Sequence, residues 1–530
     1  MASRWKLKKQ LAAGFGLVPD RHYFPGHMEY IRAYFDYRRE AALDPFVLDE
    51  ITWNDLDLDA VFRRVNACLS TSGEQYLYSM LRSPAVNRES YDRRWDMIHL
   101  MEEKPALRLE LQVELAKLGC TRRADLCRAF CPESHGVGWL LLSLLLSLLL
   151  PASVVFAAIT PQVGLLAVIG ACTVNGLVHE MRKRQVQKDF DTVNYIVSMI
   201  GTLRRIQKRK DRDLDEKLRP AYESLARLQS VLRVGGVSAV SDNNGLGDLV
   251  TTVFLLDLIV YEFLKNKFGR CHGDIFTIHE ALGQVDAAIA IASYRKSVER
   301  YTEPALEFGA TPVSVAAEGV VHPLLERPVS NPWKTERPML LTGSNASGKS
   351  TYLKSAALAA VMAQSICTCL AERYTASAFR IYSSMALRDD LLAGESYYIV
   401  ETRSLKRILD RADGGSPVLC VIDEVLRGTN TVERIAASCE ILRTFAARGV
   451  LCLAATHDVE LCSLLERDYD QYHFQETVTE DAVEFDYRLY PGRAASRNAI
   501  NLLHFLGFPD EIVDKAHQRA NGYLETGRWG

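Results

Sequence analysis

Pro338-Met-Leu-Leu-Thr-Gly-Ser-Asn-Ala-Ser-Gly-Lys-Ser-Thr-Tyr-Leu353 sets the architecture of the C-terminal part of this chain. The apolar run Pro338–Leu341 reads as a strand, and Thr351–Ala363 reads as a helix. Between them Gly343 to Ser350 fits G-x-x-x-x-G-K-[ST] in full, in the strand–loop–helix setting that the motif's mechanism requires. Glycine lets the backbone wrap an anion, so the amides from Gly343 through Ser344, Asn345, Ala346, Ser347 and Gly348 to Thr351 can cradle a β-phosphate at a helix N-terminus. Lys349 can reach the β- and γ-oxygens, and Ser350 can ligate Mg²⁺.

Working outward, the strand Val418–Ile422 ends in Asp423-Glu424. That placement puts Asp423 beside the metal and Glu424 where it can polarise a water for in-line attack. A further strand, GVLCLAAT, closes on His457, which could orient the γ-phosphate. Between these motifs, GESYYIVETRSLKRILDRA reads as a helix capped by Ser396, whose N-terminus offers N–H donors to an anion. Strands alternating with amphipathic helices from Ala316 onward predict a mostly parallel α/β sheet.

The rest of the chain reads differently. Of 530 residues, 48% are hydrophobic and 24% charged, which excludes a disordered or fibrous protein. Lys and Arg (63) nearly balance Asp and Glu (66), so a uniformly basic nucleic-acid coat is excluded. Twelve scattered cysteines, with no C-x-x-C pair repeated at zinc-finger spacing, point to reduced thiols and no structural zinc.

From Ser134 to His179 there is no Asp, Glu, Lys or Arg. Val137–Ile159 is long enough, at about 1.5 Å per residue, to cross a hydrocarbon core of about 30 Å. Gly164–Val178 is a shorter second run beyond the turn Thr160-Pro161-Gln162. Arg122, Arg123 and Arg128 before the pair, and Arg182, Lys183, Arg184 and Lys188 after it, predict a two-pass membrane hairpin contacting lipid through residues 137–178. Both large domains would then be cytoplasmic. Apolar residues at spacings of three and four predict helices on both sides of this segment. The expected organisation is a basic and aromatic helical segment (1–45), a helical domain in two parts (46–135 and 180–315), the inserted transmembrane hairpin (136–179) and an α/β P-loop domain (316–530). The expected fold class is therefore multidomain, an all-α part followed by an α/β nucleotide-binding part.

Taken together, TGSNASGKSTYL, DDLLAGESYYIVE, VIDEVLRGTNT, ATH and YPGRAASRNAINLLHFLGFPDEIVDKA resemble the MutS family of mismatch-recognition ATPases. LSTSGEQYLYSMLRSP resembles the opening of that family's helical lever domain, ALGQVDAAIAIASY its closing helix, and VVHPLLERPVSNP the start of its ATPase domain. The resemblance implies ATP and Mg²⁺ as cofactors and a homodimer with composite sites. In it Ser396 of one copy would reach the γ-phosphate held by the other, with Glu424, Lys349 and His457 catalytic and Asp423 and Ser350 on the metal. Thr429 and Asn430 would couple the two sites, and Val329, near Asn331, would contact adenine.

The departures bear on function. Only about 45 residues precede the lever-like stretch, and the break near Gly235–Gly247 is short, so neither a mismatch-reading domain nor a DNA clamp is expected. GESYY stands where the family more usually has arginine-containing text, and LRGTNT departs from its GRGTST. The basic clusters Arg182–Lys188 and Arg204–Lys210 could meet phosphates of DNA or of anionic lipid. The expected function is a membrane-anchored MutS-like ATPase, with DNA as a conceivable ligand and mispair recognition unsupported. The alternatives are an ABC-type energiser, against which no LSGGQ-like text precedes Val418, and a nucleotide-gated scaffold.

Overall fold

The computed structural model describes residues 2–121, 126–127, 138–229, 250–309, 312–344, 347–385, 397–412, 416–427, 429–478, 483–493, 500, 503 and 507–526. Ser396, Asn345, Ala346, Val137 and the break near Gly235–Gly247 lie outside the described residues. The chain divides into two units, Met1–Leu43 with Val65–Ser79 and Asp96–Ser297, and Asp44–Arg64 with Met80–Trp95 and Val298–Gly530.

The second unit carries the predicted α/β texture. Its strands are β1 (Ala305–Glu307), β2 (Val315–Val320), β3 (Asn331–Thr335), β4 (Met339–Thr342), β5 (Arg373–Ser377), β6 (Arg380–Ser384), β7 (Val418–Asp423), β8 (Leu451–Ala455), β9 (Asp470–His473), β10 (Glu476–Val478), β11 (Val483–Phe485) and β12 (Tyr490–Pro491). Six of them form one sheet in the order β12-β9-β4-β8-β7-β6. It is parallel from β9 to β6, and β12 alone runs antiparallel at one edge. Every residue of β4 and β8 is buried, the continuous apolar text expected of parallel strands covered on both faces. A second sheet, β1-β5-β2-β3, lies alongside in sequence, and β10 and β11 form a hairpin.

Within the stretch 46–135, assigned by sequence to the helical domain, residues 46–64 and 80–95 group with the unit that holds this sheet. Strand β6 is an edge strand, and an edge exposes unpaired backbone groups. The short helix Glu50–Asp55 covers it. Thr52 Oγ1 accepts from the Ser383 amide at 3.1 Å, and Asp55 accepts from Ser383 Oγ at 2.7 Å and from the Met385 amide at 2.9 Å. Buried Arg82 lies 4.0 Å from the Trp53 ring centroid and pairs with Glu50 at 3.0 Å.

Gln364, buried in the helix Lys349–Ile366, ties a second such segment in place. Its amide donates to the carbonyls of Ala85 (3.0 Å) and Phe379 (2.9 Å), and its oxygen accepts from the Phe379 amide (2.9 Å). Gln364→Leu keeps the volume and strands three buried backbone groups. It should cost about 3 kcal/mol, read as a lower midpoint of thermal unfolding of the purified protein.

The first unit is helical. The helix His272–Ser297 is long and apolar enough by composition to cross a membrane, yet most of it is buried inside the protein. It meets the helix Thr71–Arg82 at two glycines. A Cβ on Gly73 would lie 2.2 Å from Asp286 Oδ2, and one on Gly283 would lie 2.7 Å from the Ser72 carbonyl oxygen. Asp286 accepts from the Leu69 amide (3.0 Å), the Ser70 amide (2.8 Å) and Ser70 Oγ (2.6 Å). Burial pushes its carboxyl up to about 6 despite these donors.

From Gly138 onward the charge-free stretch lies in two antiparallel helices, Gly138–Ile159 and Pro161–Gln207, joined at Thr160. A Cβ on Gly164 would lie 2.1 Å from Ala157 Cα, so glycine permits the tight approach at this turn. Most of the large apolar side chains here are uncovered, with Leu145 65% and Leu166 69% exposed. The sequence led us to expect the second apolar run to end near Val178. The helix that carries it does not end there: Pro161–Gln207 runs for 47 residues in all. No proline follows Pro161 in it, and two of its polar positions are paired, His179 with Asp257 at 2.8 Å and Arg182 with Glu262 at 2.7 Å. Farther along, Arg205 pairs with Glu114 (2.7 Å) and Arg209 with Glu110 and Glu114 (both 3.1 Å), so part of the second basic cluster is already neutralised. All cysteines among the described residues are free thiols.

Candidate nucleotide site

Parallel strands deliver their C-terminal ends to one edge, and β4, β8 and β7 are neighbours there. The phosphate-loop sequence leaves β4, Asp423 ends β7 opposite Ala455, and His457 lies two residues beyond the end of β8. Sequence motifs widely separated in the chain therefore converge by topology alone.

The loop is tightly held. Gly343 (φ 140°) and Gly348 (φ 105°) adopt backbone conformations that favour glycine. A side chain at Gly343 would meet the Phe474 carbonyl oxygen at 2.7 Å, and one at Gly348 would meet the Tyr487 ring at 3.1 Å. Lys349 is buried, and its Nζ donates to the carbonyls of Gly343 (2.8 Å) and Ser344 (2.6 Å). Burial lowers the ammonium's affinity for its proton, and Asp423, Glu424 and Glu476 oppose that effect. Ser347 Oγ donates to the Ser344 carbonyl at 2.8 Å, and Ser344 Oγ donates to Glu476 at 2.7 Å. Ser350 and Thr351 are exposed at the start of the helix.

Glu424 sits at φ 63° and Leu426 at φ 60°, left-handed positions that cost non-glycine residues of order 1–2 kcal/mol each. Three contacts hold them. The Glu424 amide donates to the Ala455 carbonyl at 3.0 Å. The buried carboxylate of Glu401 accepts from the amides of Leu426 (2.6 Å) and Arg427 (2.9 Å). Burial raises the Glu401 carboxyl above its usual range, and those two amides oppose the shift.

The twisted backbone aims the Glu424 carboxylate at His457 and Arg427. Oε1 lies 2.9 Å from His457 Nε2, and Oε2 lies 2.6 Å from Arg427 Nε. The His457 hydrogen bond, followed by Arg427 and Lys349, holds the carboxyl below its usual range. Glu424 is thus an anion throughout the neutral range, as an acceptor of a water proton must be. A carboxyl with a lowered pKa loses its charge only as pH falls through that lowered value. His457→Ala should therefore move the acid limb of the turnover profile to higher pH, toward the ordinary carboxylate range, in an ATPase assay run from pH 4 to 8.

Asp423 and Ser350 offer hard oxygen donors, the chemistry Mg²⁺ prefers. Asp423 keeps its nearest cationic contact, Arg427, at 3.9 Å, so its carboxylate is not consumed in a close ion pair. Those two residues would hold the metal, and the metal would neutralise phosphate charge.

Beside the loop is a cavity of about 260 Å³ lined by Val329, Pro328, Asn331, Thr351 and Tyr487 among others. Val329 thus faces the space expected for a base. Asn331 does not offer its amide to a ligand. Its Nδ2 donates to the Tyr487 carbonyl (2.9 Å) and its Oδ1 accepts from the Leu489 amide (2.8 Å). Asn430 is occupied too, capping the helix Thr431–Ala447 through the Glu433 amide at 3.0 Å. Ser396 lies outside the described residues, so its placement adds nothing. Sequence reasoning missed Arg427, Glu401, Glu476 and Tyr487, whose contacts with the site only the fold creates. Glu401 stood within the quoted DDLLAGESYYIVE, and a carboxylate in an otherwise apolar helix face was the available signal.

Residues 339–523 match the family model described as MutS domain V. The chain is 35% identical over 255 residues to a DNA mismatch repair protein MutS of Natronomonas pharaonis, covering 46% of this chain and 29% of that protein. It is 32% identical over 276 residues to DNA mismatch repair protein MutS 2 of Halobacterium salinarum, covering 50% and 31%. A MutS of Thermotoga petrophila is 29% identical over 255 residues, covering 46% and 31%. The chain thus spans about a third of the length of these relatives. Residues 339–523, which carry the phosphate-loop sequence, Asp423 and His457 at the C-terminal ends of β4, β7 and β8, are thus similar to domain V of MutS proteins.

Proposed function

We propose that this protein is a membrane-anchored MutS-type ATPase. ATP-Mg²⁺ binds at the Gly343–Thr351 loop with its base against Val329, and Glu424 activates the attacking water. A second copy completes the site, and the nucleotide cycle moves the helical lever. The observation that carries the reading is the convergence of Lys349, Asp423, Glu424 and His457 at one sheet edge, with Glu424 bonded to His457 at 2.9 Å. Lys349 and the loop amides bind and orient the phosphates. Glu424 takes the water proton, and His457 keeps Glu424 ionised.

Anchoring is supported by the two antiparallel apolar helices, whose large outward side chains are mostly leucine, valine, isoleucine and phenylalanine over about 33 Å in the first and about 27 Å in the second. In vesicle extraction, the full chain should stay with the membrane at high salt and high pH and leave it in detergent. Release by salt alone would remove the hairpin reading.

The relatives' names concern DNA mismatch repair. For this chain the question is whether DNA stimulates turnover. The assay is ATP hydrolysis by the detergent-purified protein, with and without duplex DNA, across a salt series. Stimulation that falls steeply with salt would make DNA a ligand of the lever. Indifference to DNA would leave an ATPase acting on another partner.

A further inference from the structure

The helix Leu256–Arg270 has its charges on the wrong side for a helix in water. From Val250 to Leu264 the text VTTVFLLDLIVYEFL holds only two charged residues, Asp257 and Glu262. Both turn inward, Asp257 to His179 (2.8 Å) and Glu262 to Arg182 (2.7 Å), with nearly all of each side chain covered. The residues facing out are apolar. Val250 is 47% and Phe263 41% exposed, and Phe254, Leu256, Ile259 and Val260 are half-buried. A helix on a water-soluble protein puts apolar residues in and charges out. In lipid the order inverts, because ionisable side chains must face the bundle and pair there.

Depth can be read from neighbouring contacts. Arg182 lies over the Trp139 ring at 4.4 Å, the kind of pair that sits at a membrane–water boundary. Fully buried Asn175 donates to the carbonyls of Leu146 (3.1 Å) and Val253 (2.7 Å). Leu146 is seven residues along its helix from Trp139, about 10 Å at 1.5 Å per residue. Val253 therefore lies about 10 Å inward of the Trp139 level. The later contacts step outward, Asp257 at His179, Glu262 at Arg182, then Lys265 at Asp189 (3.3 Å). Lys265, Lys267 and Arg270 follow, a basic fringe suited to anionic headgroups.

We propose that Val250–Phe263 is a third lipid-contacting segment, entering the leaflet on the Trp139–Arg182 side without crossing it and touching phospholipid acyl chains through Val250, Phe254, Ile259 and Phe263. The inference rests on the anchoring read above, and it makes the anchor a two-pass hairpin braced by a half-inserted helix with its ion pairs inside. Asn175, His179 and Arg182 are then the polar joints of a three-helix bundle.

The test places the photo-crosslinker p-benzoylphenylalanine separately at Leu145, Phe263 and Tyr523 in the full chain. Each protein is reconstituted in phosphatidylcholine–phosphatidylglycerol vesicles, and lipid adducts are read by mass spectrometry. Adducts at 263 comparable to those at 145, and on the order of tenfold above 523, are expected for a side chain held in hydrocarbon. Adducts at 145 with none at 263, or protein–protein crosslinks at 263 instead, overturn the third segment and leave the hairpin standing. Adducts at neither position overturn the anchoring itself.

Discussion

A Glu424→Gln protein should bind ATP with near wild-type affinity and hydrolyse it on the order of 10²–10³-fold more slowly. Glutamine matches the shape of glutamate, can still bond His457 and can keep the left-handed backbone at this position. The change removes only the negative charge, and with it the ability to take a proton from water. The charge is carefully maintained, because His457 and Arg427 each occupy one carboxylate oxygen and hold the group ionised below the usual range. One of those contacts has to open to admit a water, so Arg427, at 2.6 Å and partly exposed, is the natural partner to move. If turnover stalls after binding, ATP-loaded dimers should accumulate, seen as a doubled protein mass in detergent by light scattering. Steady-state ATPase and nucleotide-binding assays on one preparation decide the matter. Unchanged turnover would remove Glu424 from the base role.

The sequence spoke clearly where chemistry demands contiguous residues. A phosphate cradle needs Gly343, Gly348 and Lys349 at fixed offsets between a strand and a helix, and such spacing survives reading without a fold. The pairing of Asp423 and Glu424 at a strand end was legible for the same reason. What holds Glu424 was not. Glu401 reaches the amides after it from a helix 25 residues upstream, and nothing local in either segment announces that contact. Tyr487 and Glu476 come to the loop because β9 lies beside β4, a pairing across about 130 residues.

The same limit explains the regrouping of residues 46–64 and 80–95. Their helical periodicity was readable, but their role as cover for the β6 edge depends on Thr52, Asp55 and Gln364 meeting strand and loop atoms far along the chain. It also explains the extent of the apolar hairpin. Composition alone ends the second run at Val178, whereas His179 and Arg182 turn inward to acids on a helix some 80 residues later. Hydropathy counts charges without knowing which way they face.

Lys349→Ala should weaken ATP binding by on the order of 10²–10³-fold, because it deletes a buried, charge-assisted donor to phosphate. Two features make this site unforgiving. Lys349 is the cation that Asp423, Glu424 and Glu476 all act upon, so its loss leaves the negative charge of those carboxylates less balanced where a triphosphate would bind. Lys349 also bridges the Gly343 and Ser344 carbonyls, so alanine frees the loop from the shape that its glycines permit. Those two losses can be told apart. Lys349→Arg restores positive charge with a planar, bulkier head that does not reproduce the point-charge geometry. If charge alone governs affinity, arginine should recover most of it. If the fit of the ammonium between loop and phosphate governs, arginine should bind nearly as poorly as alanine, and the structure favours this outcome because the side chain is buried against two carbonyls at 2.6 and 2.8 Å. Fluorescent-nucleotide titration of the three proteins, with thermal unfolding run alongside to exclude a collapsed fold, reads the difference. Wild-type affinity in Lys349→Ala would mean that the nucleotide binds somewhere other than this loop.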